Sequence, residues 1–469
     1  MVYGVYSSRS EGSARGDAEA TERQAQRRHR RDAIAETQWT YEAVASAVRR
    51  VAAENGEMLR TNKSAVAHWV EGTRPTGRVG HYLAEALARR AKRPFTLAEI
   101  GLARDELQPS VDADPIEAAA ALGRADTDRR TFLSAAAFTA GSIAMPLTYD
   151  HDAVSRMLRA RSSGGLVGAE EINVVRQITA AFSAADEQLG GGHGLTTVTA
   201  YLADTAAPML RARFSTEELR RSAFGVVAEL AYLAGFKHHD LGHEGAAQRY
   251  YLIGYQLACE ADPNGHAAWM MRALAHQALS LKQPHQCVEL MDRALRRGLG
   301  HVDGQTEALL HITQARAFAA VGEKTNAAHA LIASHDALTR DEGSQPSYSA
   351  VSGPALGSVT SHTARTLTEL GDHVGTEKEH RAALVRWDPE KFRRVHMLTY
   401  ADLGDSLAAQ TRADEAIAAW SHAIDLIEGM SSDRTRKAVA SIRPTLAIYS
   451  RRGVPGSREL SHRAYEALK

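Results

Sequence analysis

The segment Thr61–Pro75, TNKSAVAHWVEGTRP, carries small polar side chains at a spacing that suits contact with DNA bases. On a helix, Lys63, Ser64 and His68 would point outward. Lysine can reach a phosphate or a guanine edge, serine can donate or accept, and histidine can bond a purine N7 or a phosphate. Bulky side chains here would hold the backbone away from the bases. The pattern therefore predicts a helix that enters the major groove.

The opposite side of this helix is apolar. Val66, Trp69 and Val70 recur at the i, i+3, i+4 spacing of a buried helical face. Asn62 can cap the N-terminus, and Gly72 is a residue type at which helices end. A small helical domain with a solvated basic face is the alternative that the same local pattern allows.

Arginines flank the predicted reading helix on both sides. Arg60, Arg74 and Arg78 suit phosphate groups, which position a protein on DNA but do not specify sequence. Together with the polar residues of the helix they form one predicted DNA-binding set. Its members are Arg60, Asn62, Lys63, Ser64, His68, Arg74 and Arg78.

Further helices are predicted around this segment. Asp32–Glu36 and Trp39–Val51 precede it, with Thr40 as a plausible N-cap of the second, and Tyr82–Ala91 follows it. The turn Ala53–Arg60 is longer than the tight turn of the simplest helix-turn-helix. The positions predicted to face the core are Val44, Ala47, Val48, Val51, Leu83, Ala86 and Leu87.

The charge of the chain is unevenly distributed. Lys and Arg total 56, as do Asp and Glu, but residues 21–100 hold 15 basic and 9 acidic residues, a net charge of +6. The remainder carries a net charge of −6. A basic head on a mildly acidic body predicts a polyanionic partner for the head alone.

From about Val167 onward the sequence reads as helix after helix with an internal rhythm. Ala-rich segments are interrupted at intervals of 38 to 49 residues, and small and bulky residues alternate in pairs such as Ala416 with Trp420 and Ala246 with Tyr250. This spacing is typical of tetratricopeptide-type solenoids, although a plain helical bundle is an alternative. The interruptions are Gly242, Pro284, Gly322, Gly371, Thr411 and Pro455.

In such solenoids the first helix of each pair lines the concave side. Polar residues on these helices could receive a peptide, a small molecule or a protein, or they could simply be exposed helical residues. The predicted partner-binding set is Arg272, His276, His311, Gln314, His362 and Arg365.

The motif NKSAVAHWVEGTRP, followed by LAEALARRAKRP and LAEIGL, resembles the Cro/C1-type (XRE) helix-turn-helix. More narrowly, it resembles actinobacterial regulators of the NsdA type, negative regulators of sporulation and antibiotic production. The resemblance covers about 35–460 and implies a DNA-binding head with a tetratricopeptide-like sensor or protein-binding body. Beyond the head it is carried by RRTFL (129–133), GAAQRYY (245–251), AHQALSL (275–281) and SSDRTR (431–436).

Other chemistry finds little support in the sequence. Cys259 and Cys287 form no CxxC pair, which favours a reducing compartment. His239 and His243 have a metal-compatible spacing, but no HExxH motif is present, and the glycine run Leu189–Gly194 lacks a following Lys-Ser or Lys-Thr. We therefore expect no enzymatic activity, no metal and no cofactor.

The predicted fold is all-α, with an N-terminal helix-turn-helix domain followed by a tetratricopeptide-like α-solenoid. We expect a disordered arm at 1–26, the helix-turn-helix at 27–103, a linker with an apolar interdomain helix at 104–166, and the repeats at 167–469. The stretch Asp128–Leu147 also looks like a twin-arginine export signal, but 127 residues precede it, so a packed helix is favoured.

These patterns predict a cytoplasmic DNA-binding transcriptional regulator of development or secondary metabolism. It would bind double-stranded DNA as a homodimer, because one such head covers a small site, and it would not associate with a membrane. The alternative function is a tetratricopeptide-like adaptor with a vestigial helix-turn-helix head. A third, exported or membrane-tethered protein would use the Arg129–Arg130 pair.

Overall fold

A computed structural model describes residues 27–54, 57–76, 78–91, 95, 97, 100–102, 114–127, 165–340 and 344–468. Within these ranges the protein is helical, and its strands are the parallel pair β1 (Leu166–Val167) and β2 (Arg213–Phe214). The predicted all-α fold is confirmed. The predicted arm 1–26 and the apolar run Asp128–Leu147 lie outside the described residues.

The described residues fall into two compact units. The first unit contains the described residues of 27–102, and the second contains 114–127 and those of 165–468. Among the described helices, none is long and apolar enough to cross a membrane.

The first unit has four helices around one apolar core. They are α1 (27–36), α2 (Tyr41–Glu54), α3 (Lys63–Glu71) and α4 (Val79–Ala91). Six of the seven predicted core residues are buried, and Ala47 packs partly buried against them. Thr40 caps α2, since its hydroxyl accepts the Ala43 N–H at 3.3 Å. The amphipathic patterns of these helices were therefore interpreted correctly.

Among its described residues, the second unit begins with five helical elements that precede its repeats. One of them lies inside the predicted linker 104–166: α5 buries Ile116, Ala119 and Leu122 and packs against its neighbours in this unit. This part of the chain is core rather than connection, because those apolar residues need a partner surface. The five elements are α5 (Pro115–Thr127), α6 (Ala169–Leu189), α7 (Leu195–Tyr201), a π-helical turn (Leu202–Ala206) and α8 (Ala207–Met209).

Helical hairpins make up the rest of the second unit, and each hairpin contacts the next. This is the packing of a solenoid, as the sequence rhythm predicted. The helices are α9 (Glu217–Asp240) with α10 (Glu244–Ala261), α11 (Gly265–Ser280) with α12 (Pro284–Gly298), α13 (Gly304–Ala320) with α14 (Lys324–Arg340), the short α15 (Ser347–Ala350), α16 (Ala355–Leu370) with α17 (His373–Arg386), α18 (Arg393–Ala409) with α19 (Ala413–Leu426), and α20 (Asp433–Arg451) with α21 (Ser457–Glu466).

All six predicted interruptions lie at hairpin turns or at the first residue of the second helix. Each turn also contains a residue in the left-handed region, with φ between 57° and 84°. This conformation ends the first helix and reverses the chain. We call these the turn residues: Gly242, Lys282, Gly322, Gly371, Thr411 and Gly453.

In two hairpins, close approach of the two helices places a glycine against an aromatic ring. A Cβ at Gly235 would lie 2.7 Å from the Tyr251 ring, so only a residue without a side chain fits there. Gly404 has the same relation to Trp420 in the fifth hairpin, where both Trp420 and Ala416 are fully buried. In these two hairpins, a glycine seven residues before the turn residue therefore receives an aromatic ring nine residues after it.

Candidate functional site

The α3 surface, which comprises Arg60, Lys63, Ser64, His68 and Arg74, lies on the first unit. All five residues are exposed, and the His68 side chain retains 63% of its accessible area. His68 Nδ1 lies 3.7 Å from a Glu71 carboxylate oxygen, a weak exposed contact. Lys63, Ser64 and His68 are thus exposed on α3, and Arg60 and Arg74 are exposed in the segments on either side of it.

The two remaining predicted residues are engaged within the protein. Asn62 caps α3 by accepting the Ala65 N–H at 3.0 Å. Arg78 is half-buried and donates to a Glu57 carboxylate oxygen at 3.3 Å. Asn62 therefore fixes the start of α3, and Arg78 binds Glu57 in the loop before that helix.

The apolar face of α3 is fixed in the core. Val66, Trp69 and Val70 are 0%, 7% and 3% exposed, as predicted. Gly72, with φ of +120°, donates its N–H to the His68 and Trp69 carbonyls and ends the helix. This leaves the polar face of α3 to the solvent.

A buried arginine holds the C-terminal end of α3. Arg30 donates from Nε to the Trp69 carbonyl at 2.9 Å and from Nη1 to the Gly101 carbonyl at 2.7 Å. A cation at a helix C-terminus is favourable because the carbonyl dipoles point toward it. Burial, with the charges of Arg74 and Arg27, lowers the pKa of Arg30. Arg30 thereby ties α1, α3 and the end of the first unit together.

The second unit encloses a separate candidate site, which we call the inner cavity. It has about 180 Å³ of free space. Its walls come mainly from α6 and from the first helices of the hairpins: α9, α11, α13, α16, α18 and α20. This agrees with the prediction that first helices line the inner side.

Arginines dominate the charged groups that line the inner cavity. Five arginines face two carboxylates, Asp186 and Glu187, among the described lining residues. Two of the five have been predicted from the sequence as partner-binding residues. The five are Arg272, Arg316, Arg365, Arg394 and Arg434.

Three of these arginines have carboxylate partners. Arg394, 1% exposed, contacts Asp186 and Glu187 at 2.7 Å each. Arg365 Nε lies 3.2 Å from an Asp402 oxygen, and Arg434 Nη1 lies 3.8 Å from an Asp240 oxygen. Their charges are therefore at least partly compensated inside the protein.

Arg272 and Arg316 are different, because neither has a carboxylate oxygen within 4 Å in the described part of the chain. Arg272 Nε donates to the Leu309 carbonyl and the Thr313 hydroxyl, both at 3.0 Å, and its guanidinium lies 4.5 Å from the Trp269 ring centroid. Burial lowers the pKa of Arg272 to about 10. Burial and the charges of Arg365 and Arg272 lower the pKa of Arg316 to about 9.

Two histidines adjoin Arg316. Its Nη1 lies 3.2 Å from His276 Nδ1 and 3.3 Å from His362 Nδ1, and the two imidazoles stack at 4.8 Å. Burial and neighbouring arginines hold the pKa of both histidines well below the ordinary 6.5. Both rings are therefore neutral near pH 7 and can accept hydrogen bonds from the guanidinium.

Aromatic rings form the less polar part of the cavity wall. Tyr232, Phe236 and Trp387 all line it. The Trp387 indole is fixed by donating to the Ser361 hydroxyl at 3.0 Å and by an edge-to-face contact with Phe392 at 4.7 Å. The site therefore combines guanidinium groups with rigid aromatic surface.

Four of the six predicted partner-binding residues line this cavity, namely Arg272, His276, His362 and Arg365. The other two lie on a different face of α13. Gln314 donates to an Asp292 oxygen at 2.9 Å, and His311 Nε2 lies 3.8 Å from a Glu307 oxygen. The reason is helical geometry, since positions two residues apart point to nearly opposite sides.

Sequence reasoning missed three of the cavity arginines, Arg316, Arg394 and Arg434. The position of Arg316 relative to its hairpin turn could have identified it as a lining residue. Four lining residues each stand six positions before a turn residue of their hairpin: Phe236, His276, Arg316 and Arg365. No comparable signal marks Arg394, whose partners lie far away in sequence.

The histidine pair with metal-compatible spacing has other partners. His239 Nδ1 lies 2.9 Å from a Glu244 oxygen, and His243 Nδ1 lies 3.4 Å from His238 Nδ1. Across the described ranges, no group of three or more His, Cys, Asp or Glu residues is arranged to hold a metal ion.

A family model described as the SP15 N-terminal domain matches residues 31–103. The match spans most of the first unit, including α3, and none of the residues that line the inner cavity. No curated protein matches the chain.

Proposed function

We propose that the protein is a cytoplasmic, DNA-binding transcriptional regulator whose first unit contacts DNA through α3. One observation carries this proposal: the apolar face of α3 is anchored in a compact core while Lys63, Ser64 and His68 remain exposed on its other side. A helix whose first turns carry small polar residues can approach base edges in the major groove.

Distinct roles follow for the exposed residues. Ser64 and His68 would meet base edges, Lys63 would reach a guanine edge or a phosphate, and Arg60 and Arg74 would neutralise phosphates beside them. Asn62 would act indirectly by fixing the start of the helix. Arg78 would contact phosphate only after releasing Glu57. A homodimer would double the contacted site.

The second unit would act as the effector- or partner-binding part of the regulator. Its support is the inner cavity, which is lined by polar and charged residues on the first helices of successive hairpins. Occupancy of such a cavity can change how hairpins pack and thereby the spacing of two DNA-binding heads.

An adaptor that docks proteins, with a head that no longer reads DNA, is the second candidate. The engagement of Asn62 and Arg78 within the first unit favours it, because these two residues contribute little to a DNA contact in this arrangement. Both candidates share the helical repeats and differ in the head.

DNA binding by the full chain, measured by fluorescence anisotropy on genomic fragments at several salt concentrations, separates the two candidates. Lys63→Ala and Arg74→Ala should each weaken binding and reduce the salt slope by about 1 per lost phosphate contact. Arg221→Ala removes an exposed arginine from the second unit and should leave both unchanged. Negligible binding, or equal binding by all variants, would favour the adaptor.

A further inference from the structure

We propose that the inner cavity binds a small organic anion that carries a carboxylate or phosphate group on an aromatic body. This inference names the ligand class of the effector-binding unit and rests on that part of the proposed function. It does not depend on whether the first unit binds DNA.

The first argument is charge. A buried cation without a counterion raises the free energy of the folded state, so proteins normally pair it. The same cavity shows the paired arrangement at Arg394, which contacts three carboxylates within 3.3 Å. Arg272, which is 4% exposed, and Arg316, which is partly exposed to the cavity, have none within 4 Å in the described part of the chain. An anionic ligand would supply the missing counterion.

The second argument is the number of unused donors. A guanidinium has five N–H groups in a planar fork. Arg272 uses Nε, and Arg316 uses Nη1, in the hydrogen bonds described above. The Nη groups of Arg272 and the Nε and Nη2 groups of Arg316 have no such partner within the described ranges. These donors can bind the oxygens of a carboxylate or phosphate.

The two histidines hold Arg316 in place without neutralising it. Neutral imidazoles at 3.2 and 3.3 Å accept from Nη1 and orient the guanidinium. Their lowered pKa keeps them uncharged at neutral pH, so they provide no competing positive charge. A carboxylate in their place would have formed an internal ion pair and removed the need for a ligand.

The third argument concerns the rest of the ligand. Tyr232, Phe236 and Trp387 each add a small aromatic surface to the wall, and the Phe236 ring already contacts the Arg394 guanidinium at 4.8 Å. Since Trp387 is fixed by Ser361 and Phe392, this surface is preformed. A free volume of about 180 Å³ admits a small molecule rather than a folded domain. An aromatic ring with one anionic group fits both parts of the wall.

The test uses the full chain and four probes in isothermal titration calorimetry and thermal unfolding at constant ionic strength. The probes are phenylacetate, phenyl phosphate, inorganic phosphate and the neutral analogue phenylacetamide. We expect at least one of the two aromatic anions to bind and to raise Tm, inorganic phosphate to bind more weakly, and phenylacetamide not to bind. The stronger of the two aromatic anions identifies the anionic group as carboxylate or phosphate.

Variants locate the binding. Arg316→Gln should weaken binding about tenfold to hundredfold, because one charge-assisted contact is lost. Arg316→Lys keeps the charge but not the planar fork and should bind with intermediate affinity. Arg296→Gln removes an exposed arginine from α12 and should bind as the parent does. Circular dichroism checks that each variant is folded.

Any one of the outcomes that follow would overturn the proposal. The first is no heat and no change in Tm with either aromatic anion at millimolar concentration. The second is equal binding of phenylacetamide, which would make the cavity merely apolar, or equal binding by Arg316→Gln. The third is binding of an Asp- and Glu-rich heptapeptide with no binding of the aromatic anions, which would indicate a protein partner. Because no DNA is present, none of these results bears on the α3 surface.

Discussion

Arg394 and Arg316 line the same cavity, but their surroundings are opposite. Arg394 belongs to an ion cluster that we define as Asp186, Glu187, Lys237, Asp240 and Arg394, and these carboxylates raise its pKa despite burial. Arg316 adjoins two neutral histidines and has a lowered pKa. One arginine completes the protein's own structure, and the other has no carboxylate oxygen within 4 Å among the described residues. The difference separates a structural charge from one available to a ligand.

The largest effect should come from breaking the ion cluster. Arg394→Met leaves Asp186 and Asp240, each at most 1% exposed, without their main cation. The free energy of unfolding of the second unit should fall by about 3–5 kcal/mol, because buried charges are left uncompensated. Urea unfolding of the full chain measures it.

Arg393→Met is the matched control for this variant. Arg393 is adjacent in sequence, but its hydrogen bond to the Glu428 carbonyl, at 2.9 Å, is exposed. We expect a change below about 1 kcal/mol. Equal effects of the two variants would show that the cluster contributes no special stability.

Arg30 in the first unit is an intermediate case, since its buried guanidinium is satisfied by carbonyls instead of carboxylates. Arg30→Met should lower the free energy of unfolding of the first unit by about 2–3 kcal/mol, because the Trp69 and Gly101 carbonyls lose a charged donor. It should also weaken DNA binding by loosening α3. Arg31 is an exposed neighbour, so Arg31→Met should change neither the free energy of unfolding nor DNA binding. Urea unfolding measures the first effect and fluorescence anisotropy the second.

The groups around Arg316 and those around Arg394 should also affect the free energy of unfolding over different pH ranges. His276 and His362 have folded pKa values below the ordinary 6.5, so the unfolded chain binds more protons as the pH falls below about 6.5. Each should remove up to about 1.4 kcal/mol of stability per pH unit over that window. Burial alone would raise the pKa of Asp240, but Arg394 and Arg434 outweigh it and lower the pKa below its ordinary 3.8. The contribution of Asp240 is therefore lost only in stronger acid.

Thermal unfolding between pH 7 and pH 5 measures the histidine part. The double variant His276→Asn with His362→Asn should reduce the dependence on pH. The double variant His329→Asn with His335→Asn replaces two exposed histidines of α14 and should keep the parental dependence. Identical pH profiles for the two double variants would contradict the burial argument.

Local patterns predicted the parts of the molecule that depend on neighbours in sequence. The ends of α3, its buried face of Val66, Trp69 and Val70, and the positions of all six hairpin turns followed from helix periodicity and stop signals. Such features arise within a few residues, so the sequence alone contains them.

Long-range pairing explains most of what the sequence did not predict. Arg394 meets Asp186, which lies more than two hundred residues earlier, and no periodicity links them. His311 and Gln314 do not line the inner cavity for a more local reason, because they were selected by their helix and not by the face of that helix. Counting six residues back from Lys282, Gly322 and Gly371 selects His276, Arg316 and Arg365, whereas the same count from Thr411 and Gly453 reaches residues that do not line the cavity.

The smallest predicted effect is that of Arg316→Gln, which should raise the free energy of unfolding, whereas Arg394→Met should lower it. The folded-state pKa of Arg316, about 9, lies below its ordinary 12.5, so its positive charge opposes folding at neutral pH, and this penalty declines only as the pH rises from about 9 towards 12.5. Arg316→Gln removes that charge and can still donate to His276 and His362. Without ligand, the free energy of unfolding at pH 7 should rise by about 1 kcal/mol, a discounted figure because the side chain is partly exposed to the cavity. Urea unfolding measures it, with Arg296→Gln as a control expected to show no change. A loss as large as that of Arg394→Met would mean that Arg316 is also a structural charge, and the distinction between the two arginines would disappear.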